Sequence, residues 1–184
     1  MDIRYSHVIS RFYPNAECYS TGPLYSDIVW LSAPVSKADL DVKMLETAKN
    51  IRADAVREES VHVRTVATKL VVGTSDIYML RTYDVKKAEA DRFIQDNPAD
   101  NEIDITRYNL LTQEADSTGV PLRLLAAAVV QQYQASEQNL NPILGAIEAA
   151  RRNKIAEIDA AVSMDALNDI GETVWPDLTM LNPI

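Results

Sequence analysis

Two histidines, one cysteine and many carboxylates are the groups here that could do chemistry. His7 and His62 lie far apart, with no His-x-x-x-His and no His-Glu pair. A metal site needs two or more ligands converging, so none is expected. Cys18 with either histidine, or Ser6 beside His7, would be the nucleophile–base pairs. Adjacent residues do not make a triad, and no nucleophile elbow is present. Carboxylate pairs occur at Glu58/Glu59, Glu114/Asp116 and Glu157/Asp159. Acid–base catalysis needs two carboxylates held in opposed environments, and nothing singles out one of these pairs. They read as solvated helix faces. Phosphate loops of the Walker or dinucleotide type are absent. The expectation is a protein that is not an enzyme and has no catalytic residues, no metal and no cofactor.

Arg151-Arg152-Asn153-Lys154, a break at Ser163 and a short following helix look superficially like a helix-turn-helix. The second helix, Met164 to Ile170, carries Asp165 and Asp169 and no lysine or arginine. A recognition helix needs donors for phosphates and base edges. The net charge of −9 also opposes phosphate backbones and anionic membranes. Neither nucleic acid nor membrane is expected as a partner.

A chain of 184 residues allows one domain or one domain with an appendage. The chain is 47% hydrophobic and 24% charged, enough apolar content for a core. Five glycines are too few for an all-β fold full of tight turns. A single cysteine permits no intrachain disulfide, which fits a reducing compartment. The N-terminus lacks the apolar run of a signal peptide, and Leu124 to Val130 is too short to span a bilayer. These features place the chain in the cytosol, or in something assembled there.

The organising stretch runs from Leu122 to Val162. Leu122, Leu125, Val129, Tyr133, Leu140, Leu144, Ile147, Ile155, Ile158 and Val162 share one helical face. The phase survives Pro142, so either one helix bends there or two helices stack in register. Alanines at 146, 149, 150, 156, 160 and 161 keep the second half thin, so neighbours can approach closely.

The spacing predicts a mostly α chain, with a helical body over 36–184 and a small helix–strand–strand cap over 1–35. In the cap, Tyr5 to Phe12 makes helical turns, Tyr13-Pro14-Asn15-Ala16 a turn, and Glu17 to Ser20 a strand. Ile28-Val29-Trp30-Leu31 is the strongest strand signal, closed by Pro34. A lone hairpin is marginal in water, so it must pack on something. Trp30 serves either the core or a docking surface. Ser36 caps a long helix whose apolar positions are Leu40, Met44, Ala48, Ile51 and Ala55, and which either breaks near Ser60 or runs on to Gly73. Ser75 or Asp76 caps the next helix, from Ile77 to about Asp96 before Asn97-Pro98. Ile105 to Ala115 is a further helix, and Ser163 opens a short one ended by Gly171. The tail with Trp175, Leu178, Met180, Leu181 and Ile184 is too apolar to be solvated and should dock on its own chain or a neighbour.

Two stretches resemble a known group of proteins. Tyr13-Pro14-Asn15-Ala16-Glu17, then Asp27-Ile28-Val29-Trp30-Leu31, a proline and a long acidic helix resemble the N-terminal module of small tailed-bacteriophage proteins encoded near tail-fibre genes. Gly119-Val120-Pro121 leads into the second stretch. Ile147-Glu148-Ala149-Ala150, Ile158-Asp159-Ala160-Ala161 and Met164-Asp165-Ala166-Leu167 resemble the C-terminal helical domain of tail-fibre-associated phage proteins. Tail-fibre assembly chaperones end similarly. The resemblance implies a structural part of the tail-fibre or baseplate region, or a fibre-assembly factor, acting by protein–protein docking. Its partners would be fibre or baseplate proteins and further copies of itself, in the virion tail or in the host cytoplasm during assembly. The candidate contact residues are Trp30, Trp175, Leu178, Leu144, Ile147, Ile155 and Ile158. The rival reading is a cytosolic helical adaptor or regulator with no virion role.

Overall fold

A computed structural model describes residues 3–74 and 76–181. The chain is mostly helical. In order it forms α1 (Tyr5–Phe12), β1 (Cys18–Ser20), β2 (Ile28–Trp30), α2 (Lys37–Val72), α3 (Ile77–Asp96), α4 (Asn109–Thr118), α5 (Leu122–Ala160) and α6 (Met164–Asp169). Single 3₁₀ turns stand at Tyr25–Asp27, Asp100–Glu102 and Leu178–Met180. Among the described residues, strand is confined to the two-stranded antiparallel hairpin before Pro34.

Local chemistry fixes most boundaries. Ser36 Oγ accepts from Asp39 N at 3.1 Å and opens α2. That helix does not break at Ser60. The Ser60 hydroxyl donates to Arg57 O at 2.6 Å, so a buried polar residue is satisfied inside its own helix. Gly73 ends α2 with φ +80, a conformation that glycine adopts without a Cβ clash. Asp76 caps α3 by accepting from Tyr78 N at 2.8 Å, while Ser75 lies outside the described residues. Asn97, with φ 42, ends α3 before Pro98. Ser163 caps α6 by accepting from Ala166 N at 3.1 Å.

Three expectations are corrected. The helix placed at Ile105 begins at Asn109. The Asp104 carboxylate accepts from Thr106 N at 2.9 Å and from its hydroxyl at 2.6 Å, which draws 104–107 into a turn. In α2, Ile51 and Ala55 are exposed, and the buried positions are Ala48, Ala53, Val56 and Ser60 instead, with Arg52 half-buried beside them. Val162 is 86% exposed because α5 ends at Ala160 and no longer carries the stripe. Pro142 sits inside α5, which continues as one helix. Lacking an N–H, Pro142 gives the Gln138 carbonyl no intrahelical donor.

The chain divides into two compact units. The first comprises residues 1–60 and 149–174, the second 61–148 and 175–184. In the first, Val8, Ile9, Ile28 and Leu40 form a buried cluster beneath the hairpin. The parity of the hairpin explains this: Cys18, Ile28 and Trp30 face the cluster, while Tyr19 and Val29 face out, 54% and 40% exposed. In the second, Ala90, Phe93, Tyr108, Leu111, Leu125 and Ala126 form the core. The Phe93 and Tyr108 rings meet edge to face at 5.1 Å.

Candidate functional site

The cap places Trp30 against its own core. Its ring lies 6.3 Å from that of Tyr25, which in turn meets Tyr5 edge to face at 5.8 Å. Tyr25 donates its hydroxyl to Val35 O at 2.8 Å, tying the hairpin to the start of α2. Tyr5 donates to Asp41 at 2.6 Å, and Lys37 does the same at 2.6 Å. Burial pushes the Asp41 carboxyl up, but the Lys37 and Tyr5 donors more than reverse this and hold it below the usual carboxylate range. Burial, then the neighbouring Asp41, raises the Tyr5 phenol. The polar groups of the cap are thus engaged with each other, and Trp30 is half-buried among them.

Of the four candidates on α5, Ile147 and Ile158 are fully buried, at 0% and 1% exposure, and Leu144 and Ile155 are half-buried. Leu144 and Ile147 belong to the second unit, Ile155 and Ile158 to the first. The end of α5 is held by Lys49, which donates to Asp159 O at 2.7 Å. Arg52 holds α6, donating to Leu167 O and, at 2.7 Å, to Ile170 O. Cations at helix C-termini satisfy the orphan carbonyls and oppose the macrodipole. Apolar periodicity passes over both residues. The available signal was position: Arg52 stands four residues after Ala48 and four before Val56, on the buried face.

In the tail, Trp175 and Leu178 are half-buried, and the indole Nε1 of Trp175 is buried with no acceptor among the described residues. Asp177 caps the final turn, accepting from Thr179 N at 2.9 Å. That backbone hydrogen bond lowers its carboxyl. Val174 and Met180 are 87% and 77% exposed. Ile184 lies outside the described residues.

The chemistry-bearing residues do not converge. His7 and His62 are exposed, and Cys18 is a free, half-buried thiol. Among the described residues, no three His, Cys, Asp or Glu side chains gather as metal ligands. Glu114 pairs with Lys86 at 2.7 Å and Glu157 with Lys154 at 2.6 Å. An open groove of about 580 Å³ beside Pro142 is lined by the polar side chains of Gln134, Glu137, Gln138 and Asn141. No helix among the described residues is long and apolar enough to cross a membrane. Compared with known proteins, the chain matches no family model, no curated protein and no solved structure.

Proposed function

We propose that this protein is a non-enzymatic component of a bacteriophage tail that works by docking on other proteins. It is either a structural part of the fibre or baseplate region or a factor in fibre assembly. The observation that carries the docking role is exposed apolar surface in the second unit: Val61, Ile77, Tyr78, Val85 and Leu124 are each at least half exposed. Apolar surface left open to water is what a docking partner covers.

The tail assignment rests on the resemblance of Tyr13–Glu17, Asp27–Leu31 and Leu122–Val162 to tail-fibre-associated phage proteins. Mass spectrometry of purified virions, with co-expression and pull-down against the neighbouring fibre or baseplate genes, tests it. A structural part stays in the particle. An assembly factor captures a tail protein in the pull-down but is missing from virions. Failure in both assays overturns the reading and favours the adaptor.

A further inference from the structure

Charge is laid out unevenly along the chain. The total is −9, yet residues 61–83 carry Arg64, Lys69 and Arg81 against one carboxylate, Asp76, for a local net charge of +2. They form the end of α2 and the start of α3, all in the second unit. Cations elsewhere are held by carboxylates, as Lys37 is by Asp41, Lys86 by Glu114 and Lys154 by Glu157. Arg64, Lys69 and Arg81 are exposed and make no ion pair, hydrogen bond or ring contact among the described residues. The Asp76 carboxylate is engaged in capping α3, where it accepts from Tyr78 N at 2.8 Å. Lys69 stands in the last turn of α2, where a cation opposes the macrodipole. Arg64 and Arg81 have no such role.

Arg64 also lines a groove. Val61, Arg64, Thr65 and Thr68 of α2 and Leu80 of α3 border about 280 Å³. The α2 residues stand at i, i+3, i+4 and i+7, one row along a helix. Thr65 donates its hydroxyl to Val61 O at 2.9 Å, inside that helix. Val61 stays 63% exposed. The guanidinium of Arg64 is the charged group of this lining, and Arg81 follows Leu80 in α3.

We infer that the groove takes an acidic amphipathic helix of a partner protein, its apolar side on Val61 and Leu80 and its carboxylates toward Arg64 and Arg81. The inference rests on the docking role proposed above and not on the phage-tail assignment. Unpaired cations in an otherwise acidic chain call for carboxylates on the partner. The backbone groups of α2 and α3 are bonded within their own helices, so an extended segment would find no N–H or C=O to pair with. A helix arrives with its own backbone satisfied. A second copy laid on the same groove about a two-fold axis would set the two arginines against their own counterparts, so like charges would meet. Three cations also fall short of the roughly four to eight that mark a segment binding anionic lipid.

The test is fluorescence anisotropy with a labelled helical peptide of about three heptads, leucine at a and d and glutamate at e and g. A second peptide has lysine for every glutamate. Wild type should bind the glutamate peptide, more weakly as salt rises, and not the lysine peptide. The double variant Arg64→Glu/Arg81→Glu should bind the glutamate peptide about tenfold more weakly or worse, and should take the lysine peptide instead. Its thermal melt should be unchanged, because neither guanidinium has a partner to lose. Val61→Ala should weaken binding of the glutamate peptide as well. Arg11→Glu, the same change of charge on α1, should leave the affinity within about twofold. No binding, equal binding of the two peptides, or indifference to the double variant overturns the inference. So does wild-type binding to phosphatidylglycerol vesicles, or self-association, that the double variant abolishes. The docking role survives those results if the pull-down of a fibre or baseplate protein is lost in Val61→Ala. Peptide binding as expected, with no tail protein captured, supports the acidic partner and overturns the phage-tail assignment alone.

Discussion

The Arg52 guanidinium donates to the carbonyl oxygen of Ile170, 2.7 Å away and 118 residues further along the chain. A second bond reaches Leu167 O, so one side chain closes the C-terminal end of α6. Arg52→Ala should cost about 1.5–3 kcal/mol, the range for hydrogen bonds from a charged donor. Denaturant unfolding measures the loss. Amide exchange should quicken over 164–170 before it does over 90–111. Arg52→Lys should recover only part, since a single ammonium cannot reproduce the planar fork.

The buried stripe of α5 gives a graded series. Ile158 is 1% exposed, and Ile158→Ala should destabilise by about 2–5 kcal/mol. Ile155 is half-buried, so Ile155→Ala should cost less. Glu157 is exposed and pairs with Lys154 at the surface, so Glu157→Ala should stay within about 0.5 kcal/mol. Thermal melts that rank the three in another order would show that the face is wrongly drawn.

Trp175 makes an unusual prediction, because its buried N–H has no acceptor among the described residues. Leaving a buried donor unpaired costs about 1–3 kcal/mol. Trp175→Phe keeps an aromatic ring and removes the donor, so its melting temperature should equal or exceed that of wild type. Trp175→Ala removes the ring as well and should melt lower. A Phe variant as unstable as the Ala variant would mean that the indole N–H is bonded in solution.

Alkaline pH should weaken the fold through three tyrosines. The phenol of Tyr108 is raised above 10.0 by its hydrogen bond to Asp96 and then by burial. Burial and then a bond to an aspartate raise Tyr5 and Tyr133, the partners being Asp41 and Asp84. A group whose pKa is raised on folding holds its proton longer in the native state. Stability is therefore full below the unfolded value of about 10 and falls as pH rises through the higher native values. Lys37, Lys43 and Lys87 are raised as well, through their carboxylate partners, and act with the same sign. Tyr108→Phe should flatten the alkaline limb of the melting curve, and a tyrosinate absorbance titration should show one fewer phenol ionising at high pH in the variant than in wild type.

Much of the fold was legible because its boundaries are local. Ser163, Asp76, Asn97-Pro98 and Gly73 each act on groups within a few residues, and each does in the structure what its type predicts. The buried face of α2 was not legible past Ala48. There Ala53 and Val56 are interleaved with Arg52 and Ser60, polar by type and satisfied by carbonyls, one set distant and one within the helix. A pattern of apolar residues passes over both and settles on Ile51 instead. Among the candidate contact residues, type and spacing marked Trp30 and Ile158 as apolar anchors. Whether each one meets its own core depends on long-range packing, such as the Tyr5–Tyr25–Trp30 stack.

The first unit is built from two segments far apart in the chain, residues 1–60 and 149–174. On the ribosome, its second half emerges only after the intervening 61–148 have been made. At roughly 5–20 residues per second, Arg52 waits on the order of 5 to 20 s for the segment carrying Leu167 and Ile170. Throughout that interval the first part of α2 has the cap cluster of Val8, Ile9 and Ile28 for company, and its Ala48–Val56 face stands open to any holdase or neighbouring nascent chain.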